Sequence, residues 1–133
     1  MKLEEIEGIG PAYAGKLAGA GVSSADDLMN HGATKAGRVT LAAAAGVDES
    51  RILEWVNHVD LMRLDGVGSE YADLLEAAGV DSCAELAQRN AANLTAKLAE
   101  VNEAKSLVRR LPSEATVTGW IAESAKHGKV VSH

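Results

Sequence analysis

An all-helical fold is what this sequence of 133 residues predicts, and three observations carry the prediction. Apolar residues, mostly Ala and Leu, recur three and four apart, the spacing of one helix face. No stretch alternates apolar and polar residues for more than a few positions, as a half-buried strand does. The string "EGIGPAYAGKLAGAGV" at 7–22 also returns as "DGVGSEYADLLEAAGV" at 65–80, with glycines in both copies where short helices stop and start.

Laying residues 6–28 over 64–86 gives 10 identities in 23 positions, where average compositions would give about one or two by chance. Further on the register shifts by four residues, and "AGVDESRIL" at 45–53 lies over "AEVNEAKSL" at 99–107. The chain thus reads as two copies of one unit, 1–60 and 61–111, followed by a distinct C-terminal helix and tail, 112–133, the whole forming one compact domain.

Within the first copy, Pro11 falls in the first turn of a helix, where its missing N–H is no loss. Tyr13, Ala14, Leu17, Ala18 and Ala20 follow at helical spacing, and Gly21 predicts a left-handed C-terminal cap. Ser23 or Ser24 caps the next helix, with Asp26 and Asp27 in its first turn, where the positive helix end favours carboxylates. A third helix spans Lys35 to Ala45 and stops at Gly46, and Asp48 or Ser50 starts a fourth that carries Ile52, Leu53, Trp55 and Val56. The linker "VNHVDLMRL" is apolar at helical spacing, which predicts a helix shared by both copies rather than a tether. In "LPSEATVTGWIAESAKHG", Pro112 breaks the chain and Ser113 and Thr116 form a cap region. One last amphipathic helix then seals the junction between the copies. The closing "VVSH" is too short to make a strand.

Composition narrows the class. The chain is 47% hydrophobic and 24% charged, ordinary for a folded soluble protein. The longest apolar run, Leu41 to Val47, is far short of a membrane span. "MKLEEIEG" is acidic and periodic rather than a secretion signal. The single cysteine, Cys83, excludes an internal disulfide framework and suits a reducing cytoplasm. Net charge is −6, with −3 in residues 1–63 and −3 in 64–133, so no part is a cationic arm. Nucleic-acid binders usually show a basic face, and this balance weighs against one.

Each Gly-x-Gly lies between apolar residues and opens a helix. The dinucleotide fingerprint needs a preceding strand, a third glycine and a downstream acid, and those are missing here. What remains is a tight corner. Gly8 supplies a backbone conformation closed to side chains, Ile9 pins the turn to the core, and Gly10 leaves the start of the next helix uncovered. Amides at such a helix start can receive a phosphate oxygen.

"IEGIGPAYAGKLAGAG" and "LDGVGSEYADLLEAAG" resemble the helix-hairpin-helix motif, an apolar-Gly-apolar-Gly corner followed by a small packing residue, here Ala14 and Ala72, and a closing glycine. With "WVNHVDLMRLDGVG" and "RRLPSEATVTGW", nearly the whole chain resembles a bacterial family of tandem helix-hairpin-helix proteins described only as a domain of unknown function. The wider superfamily implies contacts to the DNA backbone through hairpin amides without base readout, and some of its modules also bind protein.

Carried onto this sequence, the resemblance implies a weak phosphate site at Gly8, Ile9, Gly10 and Ala12, with Lys16, Lys35 and Arg38 assisting. Gly66, Val67 and Gly68 form a weaker counterpart, because Glu70, Asp73 and Glu76 follow and repel phosphate. The partner is then DNA or another nucleic acid. The alternative is a protein-interaction adaptor in which the corners are only structural. No catalytic set is expected. Cys83 lacks a basic neighbour at catalytic spacing and reads as a small buried hydrophobe, and no nucleophile elbow marks a serine. His31, His58, His127 and His133 lack zinc-ligand spacing, so neither metal nor cofactor is expected. Tyr13 and Tyr71, each with Leu four residues on, read as core. Trp55 closes the first copy, and Trp120 docks the last helix. "KSLVRR" at 105–110 gathers three cations at a helix end, where the negative terminus favours them.

Overall fold

The computed structural model describes residues 2–6, 8–127 and 129–132. Among these are a 3-10 turn, Leu3–Glu5, and eight α-helices: α1 (Pro11–Gly19), α2 (Ala25–Gly32), α3 (Lys35–Ala45), α4 (Glu49–Met62), α5 (Ser69–Ala77), α6 (Cys83–Leu86), α7 (Ala91–Lys105) and α8 (Glu114–His127). No strand occurs among the described residues. A single bridge joins Lys2 to Ser24. The chain divides into two compact units, Met1–Asp60 with Val130–His133, and Leu61–Lys129.

Local chemistry explains most helix ends. Ser24 Oγ accepts from the Asp27 amide, while the Asp27 carboxylate accepts from the Ser23 amide, two orphan donors satisfied at once. Thr34, Ser82, Asn90 and Ser113 cap α3, α6, α7 and α8 in the same way. Asp48, rather than Ser50, immediately precedes α4. Helices α1 and α5 end alike: Gly21 and Gly79 stand at φ 89° and 93°. The Val22 and Val80 amides reach back to the Leu17 and Leu75 carbonyls, and the Gly21 and Gly79 amides to Ala18 and Glu76. That is the Schellman arrangement, which needs a left-handed residue and takes glycine.

In the first unit, Ile6, Ile9, Leu17, Val22, Leu28 and Ile52 are buried together, with Trp55 and Val131. Helix α3 crosses close to the end of α2. A Cβ on Gly37 would overlap the His31 carbonyl, so the crossing admits only glycine there. Arg38 is 1% exposed. Its guanidinium donates to the carbonyls of Gly32 at 2.9 Å, Ala33 at 3.2 Å and Ser132 at 2.6 Å. The Ser132 amide in turn donates to Ala33 at 2.9 Å. The closing residues therefore dock on the first unit, tied by a side chain from α3.

In the second unit, Val67, Leu75, Val80 and Leu86 repeat the buried positions of Ile9, Leu17, Val22 and Leu28. Helix α8 packs on α6 and α7, and its Trp120 belongs to this core. The helix expected after 112, set apart from the second copy at 61–111, is thus the fourth helix of the second unit. Helices α4 and α8 both open on Glu, and both place Trp at the seventh residue, an offset of 65. The pairing of 45–53 with 99–107 set the first turn of α4 against the end of α7, and the structure replaces it. The register moves because α7 has 15 residues where α3 has 11. The link between the last two helices also grows, from residues 46–48 to residues 106–113.

Arg38→Met should lower unfolding stability by about 2–4 kcal/mol, because three carbonyls, the buried one of Gly32 among them, lose a charged donor. Urea titration of the exposed neighbour Lys35→Ala provides the comparison, expected to fall within about 0.5 kcal/mol of the parent.

Candidate functional site

Gly8 and Gly66 have φ of 89° and 83°, the left-handed region that a side chain strains. Each carries its chain past an indole: a Cβ on Gly8 would meet Trp55 Nε1 at 3.5 Å, and one on Gly66 would meet Trp120 Nε1 at 3.8 Å. Tyr13 packs on Trp55 with ring centroids 5.1 Å apart, and Tyr71 packs on Trp120 at 5.3 Å. Tyr13 and Tyr71 are half-buried, so these pairs belong to the core and hold the corner against the last helix of each unit.

Ile9 and Val67 are each 4% exposed. Their amides donate to the carbonyls of Ile6 and Leu64, both at 3.1 Å. They are anchors, and these two main-chain N–H groups, expected among the phosphate donors, are already engaged. What the corners leave open lies one step further on. Gly10 and Gly68 precede α1 and α5 in extended conformation, and neither helix start has a side-chain cap. Helices α2, α3, α6, α7 and α8, by contrast, each start on a side-chain cap. At α1, Pro11 has no N–H, so the donors of the first turn are the Ala12 and Tyr13 amides. Gly8, Gly10 and Ala12 are all exposed.

The cations fall differently from the expectation. Lys16 is exposed, with Nζ 5.7 Å from the centre of the Tyr13 ring. Arg51, which sequence reasoning passed over, is also exposed and lies over the same ring at 5.4 Å. Helix α4 delivers it, one turn before Trp55, whose indole packs on Tyr13. Arg38, expected to extend the patch, is enclosed and committed to three carbonyls, so it cannot meet a ligand from solvent. Lys35 is exposed at the first residue of α3, and no ion pair or hydrogen bond joins its side chain to the corner among the described residues.

The second corner keeps the backbone and reverses the charge. At the same offset as the repeat, Lys16 becomes buried Leu74 and Ala12 becomes exposed Glu70. On the last helix, Arg51 becomes Thr116. The Asp65 amide is taken by Glu123, at 3.1 and 3.2 Å from its two carboxylate oxygens. Glu123 also holds His127 Nε2 at 3.0 Å. The His127 hydrogen bond, and after it the Asp65 amide, hold the Glu123 carboxyl below the ordinary glutamate value. Glu123 thus occupies one amide of this corner, at Asp65, and leaves the start of α5 uncapped.

Among the described residues, no three His, Cys, Asp or Glu side chains come together as a metal site. His133 lies outside the described residues. Cys83 is fully buried in the second core. The first unit also bears an open groove of about 380 Å³ lined by small side chains, with His31 and Thr40 its polar members. Among the described residues, no helix is long and apolar enough to cross a membrane.

The chain belongs to the family described as a domain of unknown function (DUF4332), whose model matches residues 7–127, from the first glycine corner to the end of α8. No curated protein and no solved structure matches it.

Gly8→Ala and Gly66→Ala should each cost about 1–2 kcal/mol, since both positions demand positive φ. The check is chemical denaturation of each variant. Glu123 contributes stability at neutral pH, since its folded value is depressed. That contribution should fade as pH falls through the folded value, below the ordinary glutamate range of about 4 to 4.5. The stability gap between the parent and Glu123→Gln should therefore close on acidification, as followed by thermal melts across pH.

Proposed function

We propose that the protein is a tandem helix-hairpin-helix module without catalytic activity, which holds the sugar-phosphate backbone of nucleic acid weakly at its first corner, without reading sequence. One observation carries the reading: α1 starts uncapped, and two exposed cations, Lys16 and Arg51, lie over the ring of Tyr13, a residue of its first turn. Orphan N–H groups and the positive helix end favour a phosphate oxygen, and the cations add charge that releases counterions from the strand. Gly8 and Gly10 leave the approach clear of side chains. Ile9 supports the turn from below instead of donating. Lys35 adds charge at longer range, and Arg38 drops out of the contact set. Nothing here supplies base readout, so discrimination between sequences is not expected. The single buried Cys83 fits residence in a reducing compartment, the bacterial cytoplasm.

A second reading has its own support. The corner at Gly66, Val67 and Gly68 is followed by Glu70 in the first turn of α5, and the Asp65 amide just before it is held by Glu123, as a purely structural corner can be. If both corners are only structural, the acidic chain is a protein-interaction adaptor. A pull-down recovering one stoichiometric protein partner, with no retention on heparin or DNA, would favour that reading.

Titration of labelled single- and double-stranded DNA at low and moderate salt tests the first reading. Affinity should fall steeply with salt, and Lys16→Glu/Arg51→Glu should abolish binding while helical circular dichroism is kept. Equal binding by parent and variant would refute the assignment.

A further inference from the structure

The connection between α7 and α8 is where the second unit departs most from the first. Three residues, 46–48, link the last two helices of the first unit; eight, 106–113, do so in the second. The longer connection and the helix end before it hold Lys105, Arg109 and Arg110, all exposed. Helix α7 ends at Lys105, so the two arginines stand beyond the helix terminus that was expected to account for them. Among the described residues none of the three side chains forms an ion pair or a hydrogen bond. Elsewhere on the surface of this acidic chain, cations do find carboxylates, as Arg89 does at Glu85 and Lys97 at Glu100.

This loop is not slack. Asn102 clamps Val108 from both sides, its Oδ1 accepting from the Val108 amide at 2.9 Å and its Nδ2 donating to the Val108 carbonyl at 3.1 Å. Ser106 adopts φ 52°, a left-handed conformation rare outside glycine. Val108 and Pro112 are buried. Tyr71 Oη, from the first turn of α5, donates to the Arg110 carbonyl at 2.8 Å. The backbone is thus fastened at three points, while the charged ends are left to solvent. Fixing a loop while leaving its charges unneutralised lowers the entropy lost when they meet a counter-charge.

We infer that the loop 106–113, with Lys105, Arg109 and Arg110, is a second contact for the nucleic-acid phosphate backbone, separate from the first corner. The inference rests on the reading that nucleic acid is the partner. Arginine forks match phosphate oxygens two at a time, and adjacent cations on a fixed backbone suit a polymer of regularly spaced anions. An acidic peptide offers the same sign of charge and is the competing occupant.

The test uses the full chain, a labelled DNA duplex and a salt series. Arg109→Ala/Arg110→Ala should weaken binding several-fold and reduce the slope of log affinity against log salt by about 1–2. Arg109→Lys/Arg110→Lys should keep that slope, and circular dichroism should show parental helix content in both. Parental affinity and slope in the alanine variant, or loss of slope in the lysine variant, would overturn the inference. Retention on immobilised polyglutamate with none on DNA would overturn it as well. Run beside Lys16→Glu/Arg51→Glu, the series separates the two sites. A defect confined to the corner variant sinks the loop and spares the corner, whereas a defect confined to the loop variant does the reverse.

Discussion

A left-handed glycine facing an indole is the constraint on which both units depend. Gly8 and Gly66 turn the chain where no side chain fits without strain. The apolar residue that follows is thereby driven into the core, and the next helix starts from an extended glycine with nothing to cap it. Tyr13 and Tyr71 then lean on Trp55 and Trp120, which locks that helix to the last one of the unit. The uncapped amides are therefore a product of how the corner folds. Their presence at both corners alone distinguishes neither, and any difference in what the corners bind must come from charge placed around them.

That charge has diverged while the backbone has not. The first corner gathers Lys16 and Arg51 over Tyr13. The second has Leu74 and Thr116 at those positions and Glu70 in the first turn of α5. The second unit gains cations only in its lengthened loop, fastened to the first turn of α5 by Tyr71. The two corners share a backbone and differ in the charges around it. A buried position such as Leu75 tolerates little change because cores are close-packed. Exposed positions such as Ala12 and Glu70 are free to change sign.

The features legible in the sequence are those fixed by near neighbours in the chain. The glycine corners, the Schellman ends at Gly21 and Gly79, and the Ser24 cap each involve residues within about five positions, so spacing alone exposes them. Two features escaped because distant residues make them. Arg38 looked like a surface cation at the start of a helix, and Ser132, 94 residues away, helps bury it. The match of α8 to α4 rests on little more than Glu114 and Trp120, with a longer α7 and a longer loop shifting the register before it. Arg51 belongs with these. Its place over Tyr13 depends on α4 folding back onto α1, which no local pattern encodes.

Net charge of −6 stands against any polyanion partner, and the range of the interaction decides how much that matters. At physiological salt, exposed charges more than about 8 Å apart are largely screened from one another. A phosphate held at the first corner, as proposed, then feels chiefly the helix end and the charges nearest to it. The overall charge acts instead on approach: a negative protein gains no electrostatic steering toward DNA, so encounter is slower than for a basic one. Local cations on an acidic body therefore favour contact that is weak, slow to form and easily reversed. Those are the properties that the proposed contact, made through backbone amides and a few fixed charges, would show.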